Sequence, residues 1–107
     1  MTLEQHVALM ESKFKSMVEL TKAKSNDYNG KKNAEDVFSN FRMVEHLGVA
    51  SAEQGILVRM SDKMSRIASL LSHPQMVKSE SIQDTLMDLC VYSVILSNYL
   101  DGKKNNE

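Results

Sequence analysis

From Thr2 to about Lys24 the residues Leu3, Val7, Met10, Phe14, Met17 and Thr21 recur at alternating steps of four and three. That spacing draws one stripe down an amphipathic helix, with Thr2 in position to cap it. The following Ser25–Asn33 segment is rich in turn formers and has Tyr28 as its only large apolar group, so it reads as a loop, the kind of polar connection where ligands bind. Val37, Phe41 and Val44 then predict a second helix over about 34–47, with Asn33 as cap and Gly48 as its stop.

Ser51, followed three residues later by Gln54, has the spacing of a capping box and opens a third helix that runs to about Ser72, before Pro74. Its apolar stripe is Ile56, Met60, Met64, Ile67 and Leu71. Ser79 or Ser81 opens a fourth helix, which continues to about Leu100 and ends near Gly102, with Lys103 and Lys104 favourable to its dipole. This helix carries a core stripe of Ile82, Leu86, Leu89, Leu96 and Leu100, interrupted by Ser93, and a second apolar row of Val91, Ile95 and Tyr99. The second row needs a partner of its own. The expected fold is therefore all-α: a compact bundle of about four helices in a single domain, residues 1–102, with a polar tail at 103–107 and self-association through the last helix.

Composition fits this picture. At 107 residues the chain builds one core, and one Pro, four Gly and eight Met favour helices over strands or disorder. Thirteen basic residues against 14 acidic ones leave a formal net charge of −1, so no overall field draws the chain to DNA, and any anion site has to be local. No run approaches the ~20 apolar residues of a membrane span. The start of the chain lacks the basic and apolar regions of a leader, and the single Cys90 has no second cysteine to pair with. A cytoplasmic protein is expected.

Two stretches carry charges in a chemically suggestive arrangement. Glu80, Asp84 and Asp88 are four residues apart, which at about 100° per residue places them on one ridge of the fourth helix, running into Val91, Ile95 and Tyr99. A carboxylate ridge continuous with an apolar row faces another helix, where it needs a cation or a hard divalent metal such as Mg²⁺. The alternative is that Glu80 and Asp84 serve the helix start, through its dipole or a capping box with Ser81; Asp88 sits too deep for that.

In the third helix Arg59, Asp62 and Arg66 share a face, with Lys63 beside them. Asp62 is either bracketed by surface ion pairs or is a further metal ligand, with Arg59, Lys63 and Arg66 on phosphate oxygens. Asn40 and Arg42 in the second helix, and Asp27 and Tyr28 in the loop, are candidates for contacting a base or sugar. His6, His46 and His73 are scattered singly, and there is no Gly-rich phosphate loop or Cys-His metal pattern.

Four pieces together resemble the mostly phage-encoded family called nucleotide modification associated domain, first type, formerly a domain of unknown function. They are Lys24-Ser-Asn-Asp-Tyr-Asn-Gly30, Phe38-Ser-Asn-Phe-Arg-Met43, Gly55-Ile-Leu-Val-Arg-Met-Ser-Asp-Lys-Met-Ser-Arg66 and Glu80-Ser-Ile-Gln-Asp-Thr-Leu-Met-Asp-Leu-Cys-Val-Tyr92. The fourth helix is also loosely similar to the all-α pyrophosphohydrolases of the MazG and dUTPase-like type, which hold Mg²⁺ with carboxylates from two helices; Asp88 matches the final Asp of their E-x-x-D pattern. Those enzymes place two or three Glu on the preceding helix, whereas here Asp62 stands alone among Arg59, Lys63 and Arg66. The resemblance implies a phage protein acting on nucleotides in the host cytoplasm. It does not supply a reaction: the carboxylates Asp62, Asp84 and Asp88 point to Mg²⁺-dependent hydrolysis of a nucleoside triphosphate or related nucleotide, while the cation-rich third helix and the second apolar row of the fourth point to the alternative, sequestration of a signalling nucleotide without catalysis in a homo-oligomer.

Overall fold

The computed structural model describes residues 1–29, 37–73 and 82–105, with only the backbone described at 25–29 and 105. Four helices account for almost all of them: α1 (Leu3–Asn29), α2 (Ser39–His46), α3 (Ala52–Ser72) and α4 (Ile82–Asn105). No strand occurs among the described residues, and the chain is all-α as its periodicity predicts. It divides into two compact units, residues 1–37 and 38–107.

The first unit contains α1. Thr2 caps it reciprocally: the Gln5 backbone N–H donates to Thr2 Oγ1 at 3.1 Å, and the Thr2 N–H donates to Gln5 Oε1 at 2.9 Å. The helix continues five residues beyond Lys24, so the first part of the expected loop is its last turn. Ser25, Asn26 and Asp27 are mediocre helix formers, each costing only a fraction of a kcal/mol, and no Pro or Gly precedes Gly30 to stop the helix.

In the second unit, α2, α3 and α4 form a compact bundle with α3 between its neighbours. α3 begins with the expected capping box: the Gln54 N–H donates to Ser51 Oγ at 3.1 Å, and the Ser51 N–H donates to Gln54 Oε1 at 3.0 Å. Glu45 of α2 adds its carboxylate to the same helix start, accepting from the Ala52 N–H at 2.6 Å, where the dipole favours negative charge. α2 ends at Gly48, whose φ of 71° lets the chain turn; the Gly48 N–H donates to the Glu45 carbonyl and the Val49 N–H to that of Val44, a Schellman arrangement. Gly55 sits where α2 approaches α3 closely, for a Cβ there would lie 3.0 Å from Val44 Cγ2.

α2 starts at Ser39, later than the sequence predicts, with Phe38 at its N-cap and no side-chain cap. The expected cap Asn33 lies outside the described residues, as do Ser79 and Ser81 before α4. α3 and α4 run antiparallel, since Lys63 meets Asp88 while Glu53, one helix end away, meets Lys103. α4 passes through Gly102 to Asn105 instead of stopping there; a helical Gly costs ~1 kcal/mol, which the Lys103 contact and two lysines at the negative end of the dipole offset.

The closed part of the core is small. Ala52, Ile56 and Thr85 are fully buried, and around them Met60, Ile67, Leu89, Tyr92, Ile95, Leu96 and Tyr99 are half-buried. The α4 face that packs inward thus runs between its two apolar rows, centred on Thr85 and Tyr92, and not along the row of Ile82. Leu86 and Leu100 of that row are exposed, as are Met64 and Leu71 of the expected α3 stripe. No helix among the described residues is long and apolar enough to cross a membrane.

Candidate functional site

Two adjoining clefts open in the second unit. The first, of about 220 Å³, is lined by Arg59, Asp62, Lys63 and Arg66 of α3 and by Tyr92 of α4. Positions 59, 62, 63 and 66 meet on one side of α3 because residues three and four apart are neighbours on a helix surface. Ile56 of α3 and Thr85 of α4 are both fully buried in the same unit. All four charged residues expected from the sequence to act together are thus gathered in one place, three cations with one carboxylate.

Asp62 forms no hydrogen bond or ion pair with the described residues, so the flanking surface ion pairs that the sequence allowed are not made. Asp88 meets α3 across the helix interface: Lys63 Nζ donates to its Oδ2 at 3.1 Å, with about a third of each side chain still in contact with water. The expectation that this part of the acidic ridge faces a cation on another helix holds at Asp88. Asp84 is exposed, and Glu80 lies outside the described residues. Among the described residues no three or more His, Cys, Asp or Glu side chains come together to hold a metal ion.

The second cleft, of about 160 Å³, is lined by Asn40, Phe41 and Val44 of α2, Gly55 and Arg59 of α3, and Tyr92 of α4. Arg59 and Tyr92 form the boundary shared with the first. The Phe41 and Tyr92 rings meet edge to face, with centroids 6.4 Å apart and planes at 84°, and Phe38 and Tyr99 repeat the arrangement at 5.3 Å. These two pairs join α2 to α4 through side chains. Asn40 lines the second cleft, whereas Arg42 is exposed and lines neither. Asp27 and Tyr28 fall in the last turn of α1, with their side chains outside the described residues.

Tyr92, Phe41, Val44 and Gly55 line the clefts without having been singled out for it in the sequence. Tyr92 had a signal: it lies four residues beyond Asp88, on the same face, one turn further toward the middle of α4. Cys90 is a free, half-buried thiol. No protein-family model, curated protein or solved structure matches the chain.

Proposed function

We infer that the chain is a nucleotide-binding protein whose first cleft holds phosphate, and that it retains its ligand without cleaving it. The observation that carries this reading is the meeting of Arg59, Lys63 and Arg66 in one cleft with a single unpaired carboxylate, Asp62. A guanidinium offers phosphate a planar fork and an ammonium a point charge, so such a set binds a phosphorylated ligand directly. The resemblance to the nucleotide modification associated domain family supports the same ligand class and a role in the host cytoplasm. The balance of charges over the chain argues against DNA as the partner.

A second reading, Mg²⁺-dependent hydrolysis, draws on one specific feature: Asp62 lies in the cleft, and Asp88 reaches its edge through Lys63. It requires Asp62 and Asp88 to be joined by Glu80 or Asp84 around a metal, which would then supply an activated water and polarise the phosphate.

Titration of ATP into the protein by calorimetry, once in EDTA and once with Mg²⁺, separates the two. Binding in EDTA, with ATP recovered unchanged after long incubation, is the expected result; ADP or AMP formed only with Mg²⁺ establishes the hydrolase. Arg59→Ala and Arg66→Ala should each weaken binding by about tenfold or more, the value of a charge-assisted hydrogen bond or pair of them.

The functional unit is proposed to be a homo-oligomer. Leu3, Val7, Met10 and Phe14 on α1, Leu57, Met64 and Leu71 on α3, and Leu86 and Leu100 on α4 are all exposed. On α3 the three lie seven residues apart, on one side of the helix. A single protein of this size rarely leaves so much large apolar surface in water, and a second copy of the same chain presents the same stripes to cover it.

A further inference from the structure

We propose that the second cleft is the base subsite of the same nucleotide: the phosphate occupies the first cleft, the aromatic base lies in the second, and Arg59 and Tyr92 hold the junction. This rests on the phosphate reading and specifies the rest of the ligand.

Shape comes first. The second cleft is small, about 160 Å³, and at Gly55 its wall has no side chain. A Cβ at that position would lie 3.0 Å from Val44 Cγ2, so the absent side chain is what lets α2 and α3 close on each other beside the cleft. A cleft of this size, walled by backbone at Gly55 and flanked by Phe41 and Tyr92, suits a flat ring. Phe41 and Tyr92 stand at 84° to each other, so an inserted ring stacks on the face of one and meets the edge of the other.

Polar groups agree with this placement. Asn40 is exposed at the cleft, and its carboxamide makes no hydrogen bond with the described residues. A carboxamide presents a donor and an acceptor side by side, the pattern that pairs with the adjacent amine and ring nitrogen of adenine. Arg59 lines both clefts, and its planar cation is suited to stack on a base and to fork a phosphate. Either cleft alone is below the ~300–1,000 Å³ of an ordinary ligand site, and only the pair reaches that range. A free phosphate or a sugar phosphate would leave the second cleft unused.

The test compares AMP with ribose 5-phosphate, by calorimetry, on the full chain and on the variants Asn40→Ala, Gly55→Ala and Arg59→Ala, with circular dichroism confirming each fold. AMP is expected to bind the wild type at least about tenfold more tightly than ribose 5-phosphate, the order of one stacked base. Asn40→Ala and Gly55→Ala are expected to weaken AMP and to leave ribose 5-phosphate unchanged, while Arg59→Ala weakens both. Equal affinities for the two ligands in the wild type overturn the base subsite and leave the phosphate site standing. An AMP preference unaffected by both Asn40→Ala and Gly55→Ala also overturns it, placing the base elsewhere. Failure of both ligands to bind removes the phosphate reading and this inference with it.

Discussion

Asp88 has two incompatible uses, and its substitution distinguishes them. As found, it neutralises Lys63 at 3.1 Å, which ties up one of the three cations of the first cleft. Asp88→Asn releases the ammonium while keeping the side chain's shape. If phosphate is held by cations, the variant should bind ATP as well as the wild type or a few-fold better, at a stability cost of about 0.5 kcal/mol for a partly exposed pair. If Asp88 is a metal ligand, the variant should lose Mg²⁺-dependent binding; calorimetry reads both.

The Glu53–Lys103 pair governs a second response. The hydrogen bond from the Lys103 ammonium holds the Glu53 carboxyl below its ordinary value, helped by a backbone hydrogen bond and the lysine charge and opposed by burial. Its contribution is therefore complete above the ordinary glutamate range and is lost as pH falls through the lowered value. Lys103→Ala should melt a little lower than the wild type at pH 7, by an amount worth a few tenths of a kcal/mol, and at the same temperature as the wild type near pH 2. Equal melting at both values would contradict the pairing. Local signals such as these are uneven in the sequence. The grouping of Arg59, Asp62, Lys63 and Arg66 is legible because a helix fixes it, whereas the Lys63–Asp88 contact spans 25 positions and depends on how α3 meets α4.

The existence of the helices and the caps of α1 and α3 are written plainly in the chain, because capping and periodicity are short-range. The Thr2 cap, the Ser51 box and the Gly48 stop all form as read. Gly48 has positive φ and open space around an added Cβ, so Gly48→Ala costs only the backbone strain, about 1 kcal/mol, seen as a lower urea midpoint with an unchanged slope. An unchanged midpoint would mean that α2 does not need the left-handed turn. Two ends were not legible. Polar residues 25–29 stay helical, and Gly102 is carried through, because neither composition nor a lone Gly stops a helix that tertiary contacts or its own preceding turns support. The inward face of α4 lies half a row from the expected stripe, since Thr85, the most buried position there, is not apolar and leaves no mark in a hydrophobic pattern.

The second unit encloses few side chains completely, and long apolar stripes remain in water on α1, α3 and α4. The proposed self-association would account for both facts. Light scattering behind a sizing column should give a mass at least twice the 12.1 kDa of the chain, reduced towards it by Leu57→Glu with Met64→Glu; a monodisperse 12.1 kDa species for the wild type would contradict it. The α2, α3 and α4 contributions to the clefts explain why the charged residues of the first cleft were legible in the sequence, while of the α2 and α4 lining of the second only Asn40 was. The four charges of the first lie on one helix, while the second is assembled from three.

Nucleotide binding without a metal is tested most directly by melting the intact chain against a nucleotide panel, cyclic dinucleotides included, in EDTA and again with Mg²⁺. At least one nucleotide should raise the melting temperature in EDTA, with the rise growing with concentration and disappearing in Arg59→Ala. A panel in which no nucleotide shifts melting, or in which every shift requires Mg²⁺, would contradict it.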